Sequence, residues 1–284
     1  MTFASAVRYR LIKVYANVSK VLTGGILYLA PGFRVRIPDV APARFPSAAA
    51  RGPSAAARFP SAAARGPSGA ASGAARKIPG IVWQTNFTRD VTLQVYACFA
   101  FNRWMAPGFE YRFMDDAQCD AFVEENYPGA VWSAFRRLQV GAARADFWRL
   151  LVLLKHGGVY LDMDACFTCD PGRFIVADAE GVFIEMNDAS VSNYFLASAP
   201  GNPVLGEACD RIVRNIAEKS SDSVYSLTGP LVLDEVVRRR GVACIGFRGA
   251  CVQGQFTNKR GQYIDRPGAY WQEAQQRVPI IAPD

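Results

Sequence analysis

The chain has 284 residues, half of them hydrophobic, and a formal net charge of +7, enough for one good-sized domain plus an appendage. The positive charge is confined to one end: residues 1–77 hold twelve Lys or Arg against Asp39 alone, and the remaining residues hold 20 basic and 24 acidic ones. The larger part of the chain is therefore mildly acidic, with no basic patch interleaved with aromatics, which excludes nucleic acid as a partner.

In chain order, residues 1–43 come first. Val7, Leu11, Val14, Tyr15, Val18, Val21 and Leu22 fall on one helical stripe, and Arg10, Lys13, Asn17 and Lys20 fall on another. That pattern predicts a basic amphipathic helix drawn to a membrane surface. The apolar run from Val21 to Ala30 is too short for an ordinary transmembrane span of ~20 residues. An Arg-rich, acid-poor N-terminus also suits an organellar transit peptide. Residues 44–76 follow as a low-complexity linker, expected to be disordered. It repeats a seven-residue unit, Arg-Phe-Pro-Ser-Ala-Ala-Ala alternating with Arg-Gly-Pro-Ser-Ala-Ala-Ala, without an apolar stripe that could stack into a core.

The domain proper is expected over residues 77–284. Strands are predicted at 80–84, 110–113, 159–162 and 182–186, and helices at 91–104, 117–125, 139–156 and 204–220, an alternation that specifies an α/β sheet covered on both faces. Asp115 and Asp116 mark the start of the 117 helix, where acids favour the helix dipole. The 139–156 helix is apolar nearly all round and should be buried, yet it carries Asp146 and Arg149, three residues apart and able to share a face. An internal ion pair and a grip on a polar ligand are both open readings of this pair. Gly157 and Gly158 then end the helix and turn the chain into Val159-Tyr-Leu161. Asp162 and Asp164 lie at the carboxyl end of that strand, where open α/β sheets bind ligands. Alternation along a strand would point both carboxylates to one side, a donor set suited to a hard divalent cation such as Mn²⁺ or Mg²⁺.

Seven cysteines form an odd set with no framework spacing, which favours a reducing compartment. Cys166 and Cys169 make the single CxxC. A zinc site would need a second pair, so packing beside the acidic strand is the expected role. Taken with the N-terminal helix, the expected location is membrane-associated, with the cytoplasmic face favoured and the secretory-pathway lumen or an organelle as alternatives.

The run Ala142-Ala-Arg-Ala-Asp146-Phe-Trp-Arg149, followed by Gly157-Gly-Val-Tyr-Leu-Asp162-Met-Asp164, resembles the signature of glycosyltransferase family 32. That family includes initiating α-1,6-mannosyltransferases and sphingolipid mannosyltransferases, and the glucosylating domains of large bacterial toxins share its core. Ile78-Pro-Gly-Ile-Val-Trp83-Gln resembles the family's opening strand, and Thr228-Gly-Pro230 its Thr-Gly-Pro segment. The resemblance implies a GT-A fold with a Rossmann-like donor half. It also implies a retaining hexosyltransferase that takes a UDP- or GDP-linked sugar to a glycan or glycolipid acceptor.

By resemblance, Asp146 and Arg149 hold the donor sugar, Asp162 the ribose or sugar, and Asp164 the metal, with Asp162 beside it. Trp83 would stack on the nucleotide base. Gly229 and Trp271 would belong to the donor site, Tyr270-Trp271 standing in for the family's closing His-Trp or Ser-x-Trp segment. His156 is expected to be a helix-terminal residue facing the helix dipole rather than a catalyst. Two other readings use the same carboxylates: a metal-dependent phosphohydrolase or nucleotidyltransferase, and an inactive membrane-tethered module that binds nucleotide sugars.

Overall fold

The structure is a computed structural model and describes residues 3–40 and 76–283. The expected repeat linker falls outside these residues, apart from Arg76. The chain opens with the long helix α1 (Phe3–Leu29), a two-residue strand β1 (Val35–Arg36), strand β2 (Ile81–Thr85) and the short β3 (Asp90–Val91), which pairs with β1. Helix α2 (Leu93–Met105), strand β4 (Glu110–Met114), and helices α3 (Asp116–Asn126) and α4 (Ala130–Phe135) follow. The motif occupies helix α5 (Gly141–His156) and strands β5 (Gly158–Leu161) and β6 (Ala165–Phe167). Strands β7 (Gly181–Glu185) and β8 (Val191–Ser198) then lead to helices α6 (Pro203–Glu218), α7 (Val224–Leu227) and α8 (Pro230–Arg239). The C-terminal part holds β9 (Cys244–Gly246), α9 (Phe247–Ala250), β10 (Cys251–Gln253), α10 (Lys259–Tyr263) and α11 (Trp271–Arg277).

The main sheet has six strands in the order β4-β2-β5-β8-β7-β9. The half formed by β4, β2 and β5 is parallel, β8 runs antiparallel to both β5 and β7, and β9 is parallel to β7. Successive residues feed opposite faces, as strand geometry requires: Val82 and Val159 join one core, Trp83 and Tyr160 the other. Helices α3, α5, α6 and α8 supply apolar faces to the Trp83 side, and α2 with the β6/β10 ribbon covers the Val82 side. The α/β class covered on both faces is the one observed.

All four predicted strands and all four predicted helices are present, within one or two residues. Asp115 caps α3 through a reciprocal pair: Gln118 N donates to Asp115 Oδ1 at 3.0 Å, and Asp115 N donates to Gln118 Oε1 at 3.1 Å. Asp115→Ala should therefore cost about 1 kcal/mol in a urea unfolding series, because Gln118 N in the first turn loses its side-chain acceptor. A loss below the error of that series would assign the capping box no energetic role.

Helix α1 rests on α2 with the face that carries Ile12, Ala16 and Leu27, next to Cys98, Phe101 and Phe256. The stripe predicted from Val7 to Leu22 is on the opposite side and faces outward. Among the described residues no helix is long and apolar enough to cross a membrane.

Candidate functional site

A cleft of about 570 Å³, within the usual size range for small-molecule sites, opens beyond the carboxyl ends of β2 and β5. Its floor is the first half of α5, where Gly141, Ala142 and Ala145 keep the helix surface low and Asp146 and Arg149 stand on the same side. Thr85 and Asn86 line one wall, Asn193 and Tyr194 of β8 another, and Gln253, Tyr263 and Trp271 approach from the C-terminal segment. Asp162 and Asp164 both line this cleft, so the four acidic and basic residues of the motif meet in one place.

The glycines that end α5 make this possible. Gly157 and Gly158 have φ of 65° and 106°, and a Cβ on Gly158 would stand 2.7 Å from the Ile81 carbonyl oxygen. Only glycine lets β5 start directly against β2 after so sharp a turn. The two acids do not lie on a strand as expected. β5 ends at Leu161, and Asp162 to Ala165 form a β-turn closed by Ala165 N donating to Asp162 O at 3.0 Å. The turn, not strand alternation, brings the two carboxylates to a common partner: Gln253 Nε2 donates to Asp162 Oδ2 at 3.1 Å and to Asp164 Oδ1 at 3.0 Å.

Arg149 is the hub of the site and is only 4% exposed. Its Nε donates to Ala145 O at 3.1 Å and its Nη1 to Asn193 O at 2.7 Å. Its Nη2 lies 3.0 Å from Asp146 Oδ1 and 3.4 Å from Asp162 Oδ1, and the guanidinium sits over the Tyr160 ring at 4.4 Å. Asn193 Nδ2 donates to Asp146 Oδ1 at 2.9 Å, Thr228 Oγ1 approaches Asp146 Oδ2 at 3.5 Å, and Tyr160 OH donates to Asp162 Oδ1 at 2.7 Å. The Asp146–Arg149 pair is an internal ion pair that lines the cleft.

Burial pushes the Asp146 carboxyl up to about 7 despite the nearby Arg149, and burial with the neighbouring Asp162 charge pushes Asp164 up to about 7. Burial works against the Arg149 cation, but Asp162, Tyr160 and Asp146 more than reverse this and hold its pKa above the ordinary value.

The other residues singled out in the sequence fall in different places. Trp83 does not reach the cleft: it is 0% exposed, donates Nε1–H to Gly157 O at 2.9 Å and packs between Arg112 and His156. With no free ring face it cannot stack on a base, and it acts instead as a core residue that braces the glycine turn. Gly229 caps α8 and does not line the cleft; a Cβ there would strike the backbone of Val224 and Tyr225 at 2.9 Å. Its neighbours Thr228 and Pro230 are the residues that touch the site. Trp271, at the start of α11, lines the cleft as expected.

His156 is the last residue of α5 and stacks on Trp83. Burial and the nearby Arg112 lower its pKa, which disfavours the imidazolium at the helix end. Cys166 and Cys169 are buried free thiols beside the acidic turn. Sequence reasoning missed Tyr160, Asn193, Thr228 and Gln253 as parts of the site. Tyr160 and Thr228 sat inside the quoted motifs, whereas Asn193 and Gln253 are single polar residues on strands with no local signal.

The donor set fits a hard divalent cation: two carboxylates and a side-chain amide converge, and the amide –NH₂ bridges the two carboxylates where a cation would satisfy both. Among the described residues no group of three or more His, Cys, Asp or Glu is placed to hold a metal.

The α/β fold thus places an acidic turn beyond the parallel strands and a buried Asp–Arg pair on the adjoining helix. Residues 81–175 match the family described as "Glycosyltransferase sugar-binding region containing DXD motif", in line with the resemblance read from the motif. The chain is similar to the "Initiation-specific alpha-1,6-mannosyltransferase" of Schizosaccharomyces pombe, 25% identical over 193 residues that cover 56% of this chain and 48% of that protein. It is also similar to the "Mannosyl phosphorylinositol ceramide synthase CSH1" of Saccharomyces cerevisiae, 27% identical over 165 residues covering 56% and 42%. Among solved structures it is similar to the "PaToxG Glycosyltransferase", with a TM-score of 0.48, 18% identity, and coverage of 57% of this chain and 70% of that one. The chain spans about half the length of the curated relatives it matches.

Proposed function

We propose that the protein is a retaining hexosyltransferase that moves a sugar from a UDP- or GDP-linked donor to a glycan or glycolipid, with Mn²⁺ or Mg²⁺ held at Asp162 and Asp164. The observation that carries this is the convergence of Asp162 and Asp164 on one amide at the end of a cleft whose floor is the Asp146–Arg149 pair. When bound, the cation supplies neutralisation of the negative charge that develops on a leaving diphosphate. With a cation bound, Asp162 and Asp164 would hold it, and the Gln253 amide beside them could offer its oxygen as a further donor.

Arg149 acts as a positioning residue. Its donors are taken up by Ala145, Asn193, Asp146 and Asp162, so it fixes both carboxylates rather than reaching out to the donor. Asp146 keeps Oδ2 with only the long Thr228 contact and offers it to a sugar hydroxyl. Because Asp146 is tied to Arg149 and Asn193, it serves as an acceptor of hydrogen bonds and not as a nucleophile. This favours a front-face route, in which the acceptor enters on the side of the leaving group and configuration is retained. The mannosyl names of the two relatives favour mannose among hexoses.

The test is to incubate the full chain with GDP-mannose or UDP-glucose and a mixture of glycan and glycolipid acceptors, each with and without Mn²⁺, and to follow nucleoside diphosphate release and the anomeric configuration of the transferred sugar by NMR. One donor should be consumed only with metal, with its α-configuration kept. An inverted product would remove the retaining mechanism, and consumption of neither donor would remove the transferase reading. The phosphohydrolase and nucleotidyltransferase alternative draws less support, since among the described residues two carboxylates converge and two-metal sites use more ligands.

A further inference from the structure

We infer that α1 seats the protein in the interface of an anionic membrane while its inner face holds the cleft beside that surface, so that the acceptor is a lipid-anchored glycan or headgroup; the acceptor half rests on the transferase reading. Helix α1 is apolar on two opposite sides. Its inner side, with Ile12, Ala16 and Leu27, is buried against the domain. Its outer side carries Leu11, Val14, Val18, Val21 and Leu22, all more than half exposed, with Val21 at 74%. At 1.5 Å per residue this stripe belongs to a rod roughly 40 Å long.

Single exposed apolar residues are ordinary, but this is a contiguous set: of the fifteen large hydrophobic side chains that stand exposed among the described residues, ten lie on this one helix. An eleventh, Trp104, is 73% exposed at the end of α2 and is linked to the helix through Phe101, which touches both Trp104 and Tyr15. Tryptophan beside such a stripe is the side chain that favours the level of lipid headgroups.

Charge selects the occupant. Helix α1 has four basic residues, Arg8, Arg10, Lys13 and Lys20, and no acidic one. Arg10 and Lys13 are exposed at the flank of the apolar stripe, the arrangement of a helix lying in an interface rich in anionic lipid. A second copy of this chain would bring like-charged flanks together, so self-association is disfavoured. The helix is also tied to the site: Lys20 Nζ donates to Gly254 O at 2.9 Å, and Gly254 N donates to Asp164 O at 2.9 Å. Two hydrogen bonds therefore separate α1 from the acidic turn, and Gly254 itself lines the cleft. Beyond the helix, Arg34 Nε donates to Asp265 at 2.6 Å and fastens the following segment to the C-terminal wall. Seating α1 in a bilayer thus holds the cleft close to it rather than on a free tether.

The experiment is flotation of the full chain with vesicles of phosphatidylcholine alone or with phosphatidylserine, without nucleotide or metal, so its result stands apart from the transferase test. Wild type should float with the anionic vesicles and be released by salt. The triple variant Leu11→Glu, Val18→Glu, Leu22→Glu, altered only at exposed positions, should lose at least tenfold in partitioning with an unchanged melting temperature. Val176→Glu, exposed but off the helix, should float as wild type does.

Wild type that remains in the aqueous fraction with both vesicle types overturns the proposal, as does a triple variant that floats equally well. A wild-type dimer that the triple variant turns into monomer, without flotation of either, assigns the stripe to a second copy and overturns it too. For the acceptor, vesicles of total membrane lipid extract with labelled nucleotide sugar should yield label in the organic-soluble fraction for wild type and much less for the triple variant. Label confined to soluble glycans would overturn the lipid-acceptor half.

Discussion

Arg149→Ala should destabilise the protein by about 3–5 kcal/mol, the range for removing one partner of a buried ion pair. The reason is the asymmetry of the site. Arg149 is the one cation between Asp146 and Asp162, and its removal leaves a carboxylate that is 6% exposed without the charge that offsets its desolvation. Four acceptors, the Ala145 and Asn193 carbonyls and the Asp146 and Asp162 carboxylates, would each lose a donor at the same time. Arg149→Lys should not rescue, because an ammonium cannot span Ala145 O, Asn193 O and two carboxylates from one planar group. Arg149→Met combined with Asp146→Asn should recover part of the loss, since the remaining side chain at 146 is then neutral. Urea unfolding of the series measures this. A loss under ~1 kcal/mol, the value of an exposed pair, would show that the site is wetter than its packing indicates.

Gly158→Ala should destabilise the protein by roughly 3 kcal/mol or more, from backbone strain and overpacking combined. The added Cβ would stand 2.7 Å from Ile81 O and 3.1 Å from Trp83 Nε1, and φ of 106° is closed to alanine. Neither neighbour can yield: Ile81 belongs to the central strand β2, and the Trp83 indole is fully buried and bonded to Gly157 O. Gly141→Ala is the matched control, at the first turn of α5 with nothing within 4 Å of the new methyl and an ordinary φ. It should be neutral or stabilise by about 0.4–1 kcal/mol. Equal stability of the two variants would mean that β5 and β2 can separate without cost, contrary to the packing.

Much of this architecture was legible because local and global signals agreed. The helix α5 shows its burial in an apolar surface on all sides, the glycine pair shows the turn, and Asp115 shows the start of α3. Strand β8 escaped prediction although it is the pivot between the parallel and antiparallel halves of the sheet. Its residues are buried on nearly every position, so the run Val191–Ser198 lacks the polar alternation that marks a half-buried strand.

The acidic pair was placed on the correct side for a different reason, since a turn and not a strand carries it. Only the family resemblance assigns Trp83 to the nucleotide base, and sequence spacing does not say which face of its strand meets solvent. For α1 the periodicity separated apolar from basic residues correctly. It could not show that a second apolar side, with Ile12, Ala16 and Leu27, would take the core contact and leave the stronger stripe outside. Gln253 is 89 residues from Asp164, and a contact of that separation leaves no mark in local pattern.

The central claim is that Asp162 and Asp164 hold a cation that in turn holds a nucleoside diphosphate. Titration calorimetry of the full chain with UDP and with GDP, each with and without Mn²⁺, tests it most directly when repeated on Asp164→Ala. The account predicts binding of one nucleotide that requires the metal and is lost in the variant, whose melting temperature stays close to that of the wild type. Failure of both nucleotides to bind in the presence of Mn²⁺, or metal-dependent binding undiminished by the substitution, would contradict it.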